Sequence, residues 1–167
     1  FNDFFSILFF FFFTRTTNNS WSEVSGFLKS TVVNVLHLLT FSPLTEQYMY
    51  NCQLHSEWKL GAEAVWKAQD ESGKWVDHVK AQVLVYEPYR HLAFTIFHQA
   101  TDKRPEVQSE LHYTLEPKTD GVRLSIKQGD FALLNLGEEV FERCQQGWEY
   151  VMPQLLKTGE ALLGKQT

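Results

Sequence analysis

The stretch VQSELHYTLEPKTDGVRLSIK, residues 107–127, decides the fold class because it contains two strands and the turn that joins them. Apolar and polar residues alternate through both halves of the stretch, which is the period expected of strands with one buried face. Asp120-Gly121 is a turn dipeptide between the two runs. The stretch therefore predicts an antiparallel β-hairpin.

The same period of two occurs in three earlier segments, residues 62–68, 79–85 and 92–98. Ser72-Gly73 marks a turn between the first two segments, and Glu87-Pro88 marks a turn between the second and third. Five strands in series with such short links predict an antiparallel sheet with one apolar face and one wet face.

The period changes after residue 137, where apolar residues recur at spacings of three, four and seven. This spacing predicts one long amphipathic C-terminal helix, with a kink or break near Pro153. Its apolar stripe consists of Phe141, Cys144, Trp148, Val151, Leu155 and Leu162. A sheet covered by one long helix is an α+β layout.

Two shorter helices are expected before the sheet. Ser30-Thr31 can cap an apolar helix over residues 32–39. Ser42 is the expected N-cap of a second helix, with Pro43 at its first position.

Composition excludes several classes of protein. The chain has 167 residues and a formal net charge of −5, which favours one domain and argues against nucleic acid as a partner. Two cysteines, Cys52 and Cys144, cannot build a disulfide framework.

The N-terminus has a different composition, because 10 of the 14 Phe residues lie within residues 1–50. The apolar run at residues 4–13 is shorter than the ~20 residues of a membrane-spanning helix. Unlike a signal peptide, it has no basic segment before it and no small-residue cleavage site after it. A hydrophobic strand and a translated T-rich tract remain as alternatives. We expect no membrane span and a cytoplasmic protein.

Five motifs occur in a fixed order along the chain and resemble successive signatures of one family, the heat-shock-protein-90 ATPase activator homologue-like group. They are LTEQY (44–48), SEWKLG (56–61), YEPYRHL (86–92), ELHYTLEP (110–117) and GWEYVMP (147–153). The group belongs to the helix-grip superfamily (SRPBCC), which includes START-like and birch-pollen-allergen-like domains.

The resemblance implies a first strand, two short helices, five or six more strands, and a long C-terminal helix wrapped by a curved antiparallel sheet. Either residues 9–16 supply the first strand, or residues 1–30 are foreign sequence and that strand is lost. The chain is accordingly divided into an atypical Phe-rich segment, residues 1–30, and one helix-grip domain, residues 31–167.

The residues that could carry chemistry show no catalytic or metal-binding pattern. The six histidines lack the spacing of a metal site, and there is no Cys-x-x-Cys. Cys144 lies on the apolar helix stripe and is expected to be an inert buried thiol. We therefore expect no catalytic residue, no metal and no cofactor, and a binding protein rather than an enzyme.

A helix-grip fold implies a cavity between the sheet and the helix, and the residues at inward positions define its expected lining. A polar anchor is expected from His98 beside Ser109 or Tyr113, with a hydrogen-bonded core histidine as the alternative. The expected lining residues are Trp66, Phe94, His98, Ser109, Tyr113, Trp148 and Met152. A mostly apolar pocket with few polar groups is typical of a small-molecule site.

Three functions are therefore compared. The first is a module that binds a hydrophobic small molecule. The second is a co-chaperone-like module that binds heat-shock protein 90, and the third is a cyclase or hydrolase built on the same cavity. The third ranks last because no acid–base pair is evident. A homodimer is an open alternative to a monomer.

Overall fold

The computed structural model describes residues 20–97, 108–135 and 137–163. They form one antiparallel sheet and three α-helices. The elements in chain order are β1 (Ser22–Leu28), α1 (Val32–Thr40), α2 (Ser42–Tyr48), β2 (Gln53–Ser56), β3 (Glu63–Gln69), β4 (Trp75–Glu87), β5 (His91–Phe97), β6 (Gln108–Lys118), β7 (Gly121–Gly129) and α3 (Gly137–Leu163). A short 3₁₀ helix, Phe131–Leu133, connects β7 to α3.

The seven strands lie in the order β1-β7-β6-β5-β4-β3-β2, and every neighbouring pair is antiparallel. The five strands that the alternation predicts correspond to β3 through β7. The long helix α3 packs most closely on β1, over the inner face of the sheet. This α+β arrangement confirms the predicted helix-grip fold.

The first strand lies at a position that the sequence pattern does not predict. Ser22–Leu28 pairs with β7 along its whole length, whereas a first strand was expected at residues 9–16 or not at all. The alternation is weak there because two of its inward positions, Ser22 and Gly26, are not apolar. Residues 1–19 lie outside the described part of the chain, so the division of the chain at residue 30 stays a prediction.

Close contact between α3 and β1 depends on two glycines. A Cβ atom at Gly26 of β1 would lie 2.9 Å from Met152 Sδ, and one at Gly159 of α3 would lie 2.2 Å from Leu28 Cδ2. Side chains at these positions would push the helix away from the strand. The helix continues without a break through Pro153, where the sequence predicts a kink or a break.

Of the two short helices, α2 packs against β2 at one edge of the sheet, whereas α1 contacts β6 and β7. Thr31 caps α1 as predicted, because its hydroxyl accepts from the Asn34 N–H. Ser42 is not the cap of α2, which begins after Phe41. Instead, the Ser42 hydroxyl donates to the carbonyl of Leu54 at 2.7 Å, and Thr45 Oγ1 accepts from the Leu54 N–H at 2.9 Å. These bonds satisfy backbone groups on the outer edge of β2 that would otherwise be unpaired.

Candidate functional site

Four aromatic side chains form a continuous chain of rings from the sheet to α3. Trp66 of β3 contacts Phe94 of β5, with ring centroids 5.5 Å apart. Phe94 contacts Tyr113 of β6 at 6.2 Å, and Tyr113 contacts Trp148 of α3 at 6.0 Å. Each pair is edge to face, a geometry that contributes about 0.5–1.5 kcal/mol per pair beyond burial. The rings therefore connect α3 through β6 and β5 to β3.

A polar junction lies at one end of this chain of rings. Gln128 Oε1 accepts from Trp148 Nε1 at 2.9 Å and from Cys144 Sγ at 3.2 Å. Beside it, Ser22 Oγ donates to Gln145 Oε1 at 2.8 Å. Because Gln128 belongs to β7, Ser22 to β1 and the other three residues to α3, the junction fixes the helix against both strands.

Gln128 is a site residue that was not among the predicted ones, although the strand pattern contains a signal for it. The inward stripe of β7 runs through Val122, Leu124 and Ile126, and its next position is Gln128. A glutamine that continues an apolar stripe needs a partner in the interior. The strand period and this requirement together point to the residue.

We call the space between α3 and the inner face of the sheet the grip. The ionisable groups inside the grip are held neutral by burial. Desolvation raises the pKa of the Cys144 thiol to about 12 and the pKa of the Tyr113 phenol well above its usual range. This agrees with the expectation that Cys144 is inert, because thiolate is the reactive form. An interior whose ionisable groups are neutral favours an uncharged ligand.

The apolar inner face continues beyond the ring chain at the β3–β4 end. Val79 is the register partner of Trp66, and Val76 is the partner of Ala68, so both valines share the inner face with Trp66. Each valine is 38% exposed, whereas Trp66 is 5% exposed. We call Val76 and Val79 the mouth of the grip.

A separate cleft of about 510 Å³ opens at the β2–β3 edge. It contains none of the predicted cavity residues. Its lining is Ser42, His55, Ser56, Glu57, Trp58, Ala62, Glu63, Val65 and Lys67. Its side chains are mixed in charge, and Lys67 is engaged with Asp77 at 3.8 Å.

The structure brings together five of the seven predicted lining residues. Trp66, Phe94, Tyr113 and Trp148 form the ring chain, and Met152 lies one helical turn beyond Trp148, buried against β1. Ser109 is buried on the inner face of β6 opposite Ile96. His98 lies outside the described residues. That these residues bind a ligand stays a prediction.

Within residues 20–97, 108–135 and 137–163, no group of three or more His, Cys, Asp or Glu residues is arranged to hold a metal ion. None of the helices in these ranges is both long and apolar enough to cross a membrane.

Residues 30–160 match the family described as "Activator of Hsp90 ATPase homolog 1-like protein". The chain belongs to this family. The match confirms the resemblance that the five sequence motifs indicate.

Solved structures place the activator-homologue-like chain among proteins of the same fold. It is similar to protein MLL2253 from Mesorhizobium loti at 19% identity, with a TM-score of 0.64 over 88% of this chain and 98% of that chain. It is similar to protein ChR145 from Cytophaga hutchinsonii at 21% identity, with a TM-score of 0.66 over 86% and 96%. DynU16 is described as a putative protein in the dynemicin biosynthetic locus. It is 16% identical with a TM-score of 0.62, and the match covers 83% of this chain and 46% of DynU16.

These identities establish the fold and nothing finer. No curated protein matches the chain.

Proposed function

We propose that the protein binds a hydrophobic small molecule between the sheet and α3. The observation that carries the proposal is the mouth of the grip, where apolar side chains of the inner face remain accessible beside the buried Trp66. Apolar surface that continues a core without being covered is a common feature of ligand sites.

The character of the interior supports an apolar ligand. Trp66 and Phe94 would form the aromatic wall that the ligand meets after passing Val79. Tyr113 would be the uncharged polar anchor, because burial keeps its phenol protonated. His98 and Ser109 complete the predicted set of lining residues.

Gln128 is not proposed as an anchor. Its carbonyl oxygen already accepts two hydrogen bonds from α3, so a ligand would have to break the junction to use it. Specificity would therefore come mainly from the shape of the aromatic wall.

The experiment is a ligand screen on the full chain. Fatty acids, other lipids and polyketide-like aromatic compounds are tested for a rise in melting temperature and a change in Trp emission. The aromatic compounds are included because DynU16, which shares the fold, is described as belonging to a biosynthetic locus. A saturable rise with one of these classes supports the proposal, and failure of every class removes it.

A second candidate is a module that binds heat-shock protein 90, because the matching family is described by activation of that chaperone's ATPase. A pull-down with the purified chaperone, followed by its ATPase rate, tests this candidate. No binding removes it, and binding with an unchanged rate removes a role as an activator. The cytoplasmic location and the homodimer also stay predictions.

A further inference from the structure

The outer face of the sheet carries a chain of three hydrogen-bonded side chains that the proposed function does not use. His91 Nε2 lies 3.0 Å from His112 Nδ1, and His112 Nε2 lies 2.8 Å from Glu110 Oε2. The two ring centroids are 5.2 Å apart and the ring planes differ by 19°. The rings therefore meet edge to edge across β5 and β6, with one hydrogen between their facing nitrogens.

Glu110 determines which nitrogen of His112 carries the proton. An ionised carboxylate only accepts hydrogen bonds, so His112 Nε2 carries the hydrogen and its Nδ1 presents a lone pair to His91. A carboxylate that holds the far nitrogen of a histidine is the usual support of a metal-ligating histidine, because it orients the ring and raises the basicity of the free nitrogen.

The two facing nitrogens point at each other along one hydrogen bond, so both can reach one cation only after the rings turn. Two metal–nitrogen bonds of about 2.0–2.1 Å that meet near a right angle place their nitrogens roughly 3.0 Å apart. To accept a cation, His91 moves its proton from Nε2 to Nδ1. Each ring also turns about its Cβ–Cγ bond, a torsion with a broad minimum. Right-angled nitrogen ligands are typical of tetragonal Cu²⁺ and Ni²⁺.

The cationic side chains next to the pair are engaged with other groups. Lys127 is the register partner of His112, and its ammonium lies over the Trp21 ring, 5.0 Å from the ring centroid. Arg90 precedes His91 and pairs with Glu87 at 3.7 Å. Both rings remain partly exposed on the outer face.

We propose that His91 and His112 bind one Cu²⁺ or Ni²⁺ ion, with Glu110 as a positioning residue and water in the remaining coordination positions. A site with two protein ligands is compatible with the finding that no group of three is arranged for a metal in the described ranges. The expectation of no metal was based on spacing along the chain. Such spacing does not register this pair, because the two histidines are 21 positions apart and meet only across strands.

The experiment titrates the chelator-treated full chain with Cu²⁺ and with Ni²⁺ alone, by calorimetry. One site is expected in the unchanged protein. His91→Gln and His112→Gln should each lower the affinity at least ~10-fold, and Glu110→Gln should lower it ~10-fold, which is in the range for loss of a carboxylate behind a ligating histidine. His55→Gln, at another exposed histidine of the outer face, is the matched control and should stay within ~2-fold of the unchanged protein.

Electron paramagnetic resonance of the Cu²⁺ complex gives an independent readout. Coupling to two imidazole nitrogens is expected in the unchanged protein, and coupling to one nitrogen or none in His91→Gln. Absence of binding, equal affinity in His91→Gln, or an equal loss in His55→Gln overturns the proposal. Because the pair lies on the opposite face of the sheet from the grip, each of these outcomes is independent of the proposed small-molecule site.

Discussion

Trp148 donates its indole N–H to the Oε1 atom of Gln128 at 2.9 Å, and this bond joins α3 to β7 inside the grip. Cys144 donates to the same oxygen from one helical turn earlier. A single amide thus satisfies two side chains of the helix. The position of α3 relative to the sheet depends on this junction together with the two glycine contacts at β1.

Replacement of Gln128 by Leu should destabilise the fold. The substitution keeps the size of the side chain but leaves the indole N–H of Trp148 without an acceptor, a loss of about 1–3 kcal/mol in the free energy of unfolding. Denaturant unfolding measures it. Gln82→Leu is the control, since the Gln82 amide donates to the Gly61 carbonyl at an exposed site. A Gln128→Leu protein as stable as the unchanged one would contradict the role of the junction.

Two glycines of α3 should respond in opposite directions to alanine. A Cβ at Gly147 would make an ordinary contact with the Tyr50 hydroxyl at 3.8 Å, whereas a Cβ at Gly159 would lie 2.2 Å from Leu28 Cδ2. Gly147→Ala should raise the free energy of unfolding by about 0.5–1 kcal/mol through helix propensity. Gly159→Ala should lower it by about 1–3 kcal/mol because Leu28 is fully buried. The same sign for both variants would show that α3 does not pack on β1 as described.

Thr45→Val should destabilise the edge of the sheet that β2 forms. The substitution removes the oxygen that accepts a hydrogen bond from the Leu54 N–H. The free energy of unfolding should therefore fall by about 1–3 kcal/mol. Thr158→Val is the matched control, because the Thr158 hydroxyl bonds only to a carbonyl within its own helix. Hydrogen exchange at the Leu54 amide reports the same bond directly, and unchanged protection in Thr45→Val would count against it.

Cys144 should resist thiol reagents until the pH is very high. Its pKa is raised to about 12, above the unfolded value near 8.5, so the stability linked to the neutral thiol is present below pH 8.5 and is lost as the pH rises towards 12. In a Cys52→Ser background, Cys144 should react slowly at pH 8 in native protein and rapidly in denaturant. Adding Cys144→Ser, which keeps a hydroxyl donor for Gln128, should flatten the fall in stability above pH 8.5. Rapid native labelling at pH 8 would contradict the burial of the thiol.

The predictable parts of this fold are those with a strong period. Strands β3 to β7 and helix α3 each carry an apolar stripe along one face, so alternation and helical spacing identify them. The alternation does not show β1 because Ser22 and Gly26 occupy inward positions, where a Cβ at Gly26 would crowd Met152 and Leu156 of α3. β2 has four residues, which is too few to show a period.

The candidate site was predictable to the same degree. The alternation along the strands and the spacing along α3 predict that Trp66, Phe94, Tyr113 and Trp148 all point inward. The structure brings these four side chains together. The alternation along one strand does not predict contacts between side chains on different elements. Examples are the contact of Gln128 with Trp148 and that of His91 with His112. They follow only when the register between strands and the position of the helix are known.

The most direct test of small-molecule binding in the grip is an equilibrium titration of the strongest compound from the screen against two Val→Arg variants. Val79→Arg places a charged side chain at the mouth of the grip, and Val33→Arg makes the same change at an exposed valine of α1. We predict at least ~10-fold weaker binding for Val79→Arg, a loss of about 1.4 kcal/mol, and a change within ~2-fold for Val33→Arg. Equal affinity of the two variants would contradict binding at the mouth of the grip.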